Sequence, residues 1–170
     1  AKYTPGTDAE NAKAILQNVY NWSITDGGAG APPVDETAEP FEFTVELSDN
    51  LTFDLPLAGV GAVNVNWGDG TVDNGIETDD FSHTYSEPGL YSVTIKGTAE
   101  RISWGFNDEK LVTEVSNLGD LNWQGLNNAF YGCINMTSFS VGGGKTDNVT
   151  SMLNMFHSCS SLTSLDLTAL

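Results

Sequence analysis

Three stretches of the chain keep one beat: Phe106 to Val112, Phe130 to Met136 and Phe156 to Leu162 each set a phenylalanine six residues before a hydrophobe. The phenylalanines are 24 and 26 residues apart. The last two copies align closely, Ala129-Phe130-Tyr131-Gly132-Cys133-Ile134-Asn135-Met136-Thr137-Ser138-Phe139 against Met155-Phe156-His157-Ser158-Cys159-Ser160-Ser161-Leu162-Thr163-Ser164-Leu165. Self-similarity at this period predicts a stacked solenoid, in which no single turn can bury its apolar face alone. Function in such a chain resides in a surface or a length more often than in a reaction.

Charge narrows the partners. The 23 acids against 6 bases, a formal charge of -17, would repel a phosphate backbone, so nucleic acid is excluded as a partner. Residues 41 to 100 hold 11 of the acids and a single base, Lys96, and generate most of this field. No 18-residue apolar run occurs and no basic stretch precedes a hydrophobic one, so neither membrane insertion nor a signal peptide is expected. Abundant Gly, Thr, Ser and Asn with few lysines predicts an extracellular protein of a cell or virion surface.

Along the chain, Thr7-Asp8-Ala9-Glu10 reads as a capping box that starts a helix from Asp8 to Tyr20, with Ala12, Ile15, Leu16 and Val19 on one stripe. Trp22-Ser23-Ile24-Thr25 alternates as a short strand and stops at Asp26-Gly27-Gly28. Residues 29–40 form a Pro/Gly/acidic linker. Phe41, Phe43, Val45 and Leu47 then alternate with Glu42, Thr44 and Glu46, as in a strand with one buried face. Further strands are predicted near Leu51–Leu55, Val63–Trp67 and Leu90–Ile95, separated by turn signals, which makes residues 41–102 a β-sandwich.

Val65-Asn66-Trp67-Gly68-Asp69-Gly70-Thr71 followed by His83-Thr84-Tyr85-Ser86-Glu87-Pro88-Gly89-Leu90-Tyr91 resembles the PKD domain, an immunoglobulin-like sandwich of surface proteins and secreted enzymes. Residues 103–170 resemble the BspA-like leucine-rich repeats of bacterial surface proteins, carried by Asn128-Ala129-Phe130-Tyr131-Gly132-Cys133 and by Met155-Phe156 through Leu167. The Phe106 turn departs from the pattern, because Glu109 stands where Cys133 and Cys159 stand later. Together these imply a fold that is mainly β with some α: a sandwich joined to a leucine-rich-repeat solenoid, with an N-terminal capping helix.

The order sandwich then repeats also resembles modular surface and phage tail proteins. In those the array closes with a Lys-Tyr-Ser/Thr segment, a helix and a Trp-Thr-Ile-Thr-Asp-Gly-Gly ending. Here Lys2-Tyr3-Thr4, the helix and Trp22 to Gly28 stand first, and Leu170 falls mid-repeat. The expectation is one permuted period of a tandem or head-to-tail array, with residues 1–28 of one copy closing the repeats of an adjacent copy. Its interface would draw on Ile15, Leu16, Val19 and Trp22 from one copy and on Phe156, Leu162, Leu165 and Leu167 from the other.

Catalytic groups are sparse. The two histidines, His83 and His157, stand in a sandwich strand and at a variable repeat position, and no nucleophile elbow is present. Gly142-Gly143-Gly144-Lys145-Thr146 lacks the earlier glycine of a phosphate loop, since position 139 is Phe139. Cys133 and Cys159 share one repeat position, and buried free thiols fit them better than a disulfide. No cofactor is assigned. Asp49, Asp54, Asp69, Asp73, Glu77, Asp79 and Asp80 make calcium the one candidate, against the alternative that they only solvate the surface.

The leading expectation is a non-enzymatic structural or adhesive unit of an extracellular fibre or large surface protein. The alternative is a monomeric glycan- or protein-binding adhesin or phage tail receptor-binding module, for which tryptophans 22, 67, 104 and 123 would form a sugar platform if exposed.

Overall fold

The structure, a computed structural model, describes residues 34–104 and 111–168, all within the compact unit Ala31–Leu170. Eleven strands are found among them: β1 Phe41–Leu47, β2 Thr52–Leu55, β3 Leu57–Ala58, β4 Ala62–Asn66, β5 Val72–Ile76, β6 Phe81–Thr84, β7 Gly89–Thr98, β8 Arg101–Ile102, β9 Val112–Asn117, β10 Ser138–Ser140 and β11 Ser164–Asp166. Seven form one sheet in the order β11-β10-β9-β1-β7-β4-β5, accompanied by the pairs β2-β6 and β3-β8.

β1 organises the sheet. Its alternation puts Phe41, Phe43, Val45 and Leu47 in the core, while Glu46 faces water. It pairs antiparallel with β7 on one side, Phe43 opposite Val93, and with β9 on the other, Phe43 opposite Val115. The second pairing carries the sandwich sheet directly into the repeats. β10 and β11 then add in parallel, Phe139 beside Val115 and beside Leu165.

This continuity corrects the expected architecture. Among the described residues the fold is all-β, with no helix, and the repeats do not build a separate leucine-rich-repeat solenoid. Turns with left-handed residues at Asn128, Gly132, Asn154 and Ser158 lead into three-residue strands that lengthen the sandwich sheet. The physical reason is a shared core. Trp104 packs on Phe43 at 5.3 Å and on Phe130 at 5.5 Å between ring centroids, so sandwich and repeat aromatics fall in one buried cluster. The capping helix expected at Asp8–Tyr20 and the Phe106 turn with Glu109 lie outside the described residues.

Candidate functional site

Two places concentrate side chains that the sequence had marked. In the first, Trp67 directly follows β4 at zero exposure and its Nε1–H donates to Asp73 Oδ2 at 2.9 Å. His83 stacks on Trp67 at 4.7 Å and 10°, and the buried Tyr85 hydroxyl donates to the Trp67 carbonyl at 3.0 Å. His83 Nε2 stands 2.8 Å from Asp69 Oδ2 and donates there, since an ionised carboxylate only accepts. The Thr71 hydroxyl and amide donate to the other Asp69 oxygen at 2.6 and 2.9 Å.

Burial pushes the Asp69 carboxyl up, but the hydrogen bonds from Thr71 and His83 outweigh it and hold the group at about 2, below the usual 3.8. Burial, then the Asp69 charge, push the Tyr85 phenol up. Both Asp69 oxygens, His83 Nε2, Trp67 Nε1 and the Tyr85 hydroxyl are engaged within the sandwich, the arrangement of a structural lock. Because the folded value of Asp69 lies below the unfolded one, its stabilisation is complete above about pH 4 and disappears as pH falls toward 2. After allowance for solvent screening, acid titration should cost roughly 1 kcal/mol across that window. Asp69→Asn should flatten the acid limb, as read by urea unfolding at pH 5, 3 and 2.

The acids offered for calcium do not converge. Among the described residues no group of three His, Cys, Asp or Glu side chains is placed to hold a metal ion. Asp69 and Asp73 are committed to the lock, and Asp79 accepts from the Val60 amide at 2.9 Å. Lys145, at the end of the glycine run, pairs with Asp120 instead of facing an empty cradle. Cys133 and Cys159 form no disulfide; the Cys159 thiol donates to the Phe130 carbonyl at 3.0 Å and is pushed up in pKa by burial. Trp67, Trp104 and Trp123 are all buried, so none of them offers a face to a sugar, and Trp22 lies outside the described residues.

The second place is the β11 end of the large sheet. Leu126, Asn128, Phe130 and Gly132 donate backbone N–H groups to Ser151, Leu153, Met155 and His157, at 2.8–2.9 Å. Phe156 stacks on Phe130 at 5.9 Å and 9°, and His157 on Tyr131 at 4.8 Å and 2°. Each position is thus covered by its counterpart one repeat later, until the last. Phe139 is 1% exposed and its counterpart Leu165 49%; Val141 is 1% exposed and its counterpart Leu167 38%. Leu153 is 67% exposed, and Phe156 and Leu162 are only partly buried against the core. A hollow of about 380 Å³ lined by Met152, Asn154, Met155, Phe156, His157 and Leu167 opens here. Sequence reasoning named Phe156, Leu162, Leu165 and Leu167, and the structure gathers them at this end; Leu153 and Met152 were missed, because they sit in a turn outside the repeated motif. Ile15, Leu16 and Val19, expected on the opposing face, lie outside the described residues.

The opposite edge of the sheet is built differently. β5 is interrupted by a register shift against β4, and Gly75, at φ +66°, donates its N–H to the Asn64 side chain at 2.8 Å. Asp73 lies within β5, and Asp69, Glu77, Asp79 and Asp80 lie close to it in sequence. A kinked, charged edge resists strand pairing, whereas the β11 edge carries leucines and a single acid, Asp166.

Among the described residues no helix is long and apolar enough to cross a membrane. No curated protein and no solved structure matches the chain. Nothing found supports the resemblance of residues 103–170 to BspA-like leucine-rich repeats. Residues 27–101, less than half of the chain, match the PKD domain, a non-catalytic immunoglobulin-like family.

Proposed function

We propose that the chain is a non-catalytic structural or adhesive unit of an extracellular fibre or large surface protein, with copies joined head to tail. Residues 1–28 of one copy cover the open β11 end of the next. The observation that carries this reading is the contrast between Phe139 and Val141, buried by the following repeat, and Leu165 and Leu167, left open at equivalent positions. Uncovering leucines at the end of a parallel ladder costs about 25 cal/mol per Å² of apolar surface, a standing incentive for a partner.

Charge is compatible with a contact between copies. In a chain of formal charge -17, residues 148–168 hold one acid and no Lys or Arg, and residues 1–28 hold three acids and two lysines. The PKD match supports the extracellular, non-enzymatic setting. Sedimentation velocity tests the reading: the full chain should associate with rising concentration, and Leu165→Glu combined with Leu167→Glu should leave a folded monomer. A wild-type chain that stays monomeric at its highest soluble concentration refutes it.

A further inference from the structure

We infer that the joint is made by strand addition: Ser23-Ile24-Thr25 of a second copy pairs in parallel with β11, placing Ile24 beside Leu165. This rests on the head-to-tail reading and specifies its chemistry.

The first support is the direction of the backbone groups on β11. Val141 donates its N–H outward to Asp166 O at 3.1 Å, and Phe139 is the bridge partner of Leu165. In a parallel ladder the N–H and C=O of one residue point to the same side and neighbours alternate. Ser164 and Asp166 therefore face β10, while Leu165 and Leu167 direct their N–H groups to the open edge. No strand lies beyond them among the described residues. The seat offers a main-chain pattern as well as an apolar surface, which is the requirement for an added strand.

The second support is the sequence of the occupant. β10 reads Ser138-Phe139-Ser140 and β11 reads Ser164-Leu165-Asp166, each a polar, apolar, polar triplet opening on serine. Ser23-Ile24-Thr25 repeats that triplet, with a β-branched residue at the centre. The third support is the state of the other end of the large sheet: the β5 edge is kinked and carries Asp73, so it is a poor incoming strand.

The test mixes two full-length chains, an isotope-labelled Ile24→Cys variant and an unlabelled Leu165→Cys variant, under mild oxidation. Peptide mapping should find the 24–165 disulfide joining one labelled and one unlabelled chain. In parallel, Leu165→Pro removes an N–H that the chain's own ladder does not use, and proline is tolerated at such an edge position. It should weaken association by about tenfold while near-UV dichroism stays native. Association that persists unweakened in Leu165→Pro, with no 24–165 cross-link, overturns strand addition and leaves the head-to-tail reading standing. Absence of association in the wild type removes both. If Leu165→Pro does not fold, the cross-link alone decides, its absence from an associating mixture counting against the inference.

Discussion

Replacing Trp104 with alanine should lower stability by about 3–5 kcal/mol, the range for deleting a large aromatic from a packed core. Its ring is buried and stands within 6.4 Å, centroid to centroid, of Phe41, Phe43, Phe53 and Phe130. The first three belong to the sandwich and the fourth to the repeats. The loss should therefore appear in one cooperative urea transition seen equally by fluorescence and far-UV dichroism. Trp104 Nε1 has no hydrogen-bond partner among the described residues, so Trp104→Phe removes an unsatisfied donor along with part of the ring and should cost much less, about 1 kcal/mol. A loss under about 1 kcal/mol for the alanine variant, or two separate transitions in the wild type, would show that the two regions do not share a core.

Gly97→Ala should be similarly damaging, with a loss above about 3 kcal/mol in the same assay. Gly97 sits in β7 at φ +125°, opposite Val63 of β4, and a Cβ there would stand 2.1 Å from the Ala62 carbonyl oxygen and 2.8 Å from Val63 Cα. Both obstacles are backbone, in the middle of the seven-stranded sheet, and cannot swing aside. Gly70, at φ +94° but with open space where its Cβ would go, provides the control. Gly70→Ala should cost only the backbone strain, about 1 kcal/mol. Equal effects at the two sites would contradict the close β4–β7 approach.

Much of the sandwich was legible. The alternation of Phe41 to Leu47 announces β1, and the Trp67 to Thr71 and His83 to Tyr91 segments carry the PKD resemblance, though the contacts among Asp69, His83, Trp67 and Tyr85 emerge only in the structure. What sequence could not supply was which strands meet. β9 pairs with β1 across some seventy residues of chain (Phe43 opposite Val115), and no local pattern encodes a partner so distant. The repeats therefore read as a solenoid joined to the sandwich, whereas Trp104, Phe130 and Phe139 merge them into the sandwich core. The Phe and Leu spacing did identify which side chains fall one repeat apart, as the pairing of Phe139 with Leu165 shows. Of the four residues named from the last copy of the beat, Leu165 and Leu167 are exposed, whereas Phe156 and Leu162 are partly buried against the core. The calcium candidates failed for another reason: proximity in sequence says nothing about whether carboxylates converge, and Asp69 and Asp73 already have donors of their own.

The proposed association of so acidic a chain depends on where the charge is placed. Acids crowd the β5 side, where they deter pairing, and leave the β11 side to leucine, methionine and phenylalanine. One sheet thus has a defended edge and an open one, an asymmetry that favours a heterologous, end-to-end contact over a symmetric dimer.

Amide hydrogen exchange of the full chain as a function of protein concentration tests this most directly. The N–H groups of Leu165 and Leu167 should slow markedly as concentration rises, while those of Val72–Ile76 at the opposite edge keep their rates. Exchange at Leu165 and Leu167 that stays fast at every concentration, or protection that grows first along β5, would contradict an open end built to receive a second copy.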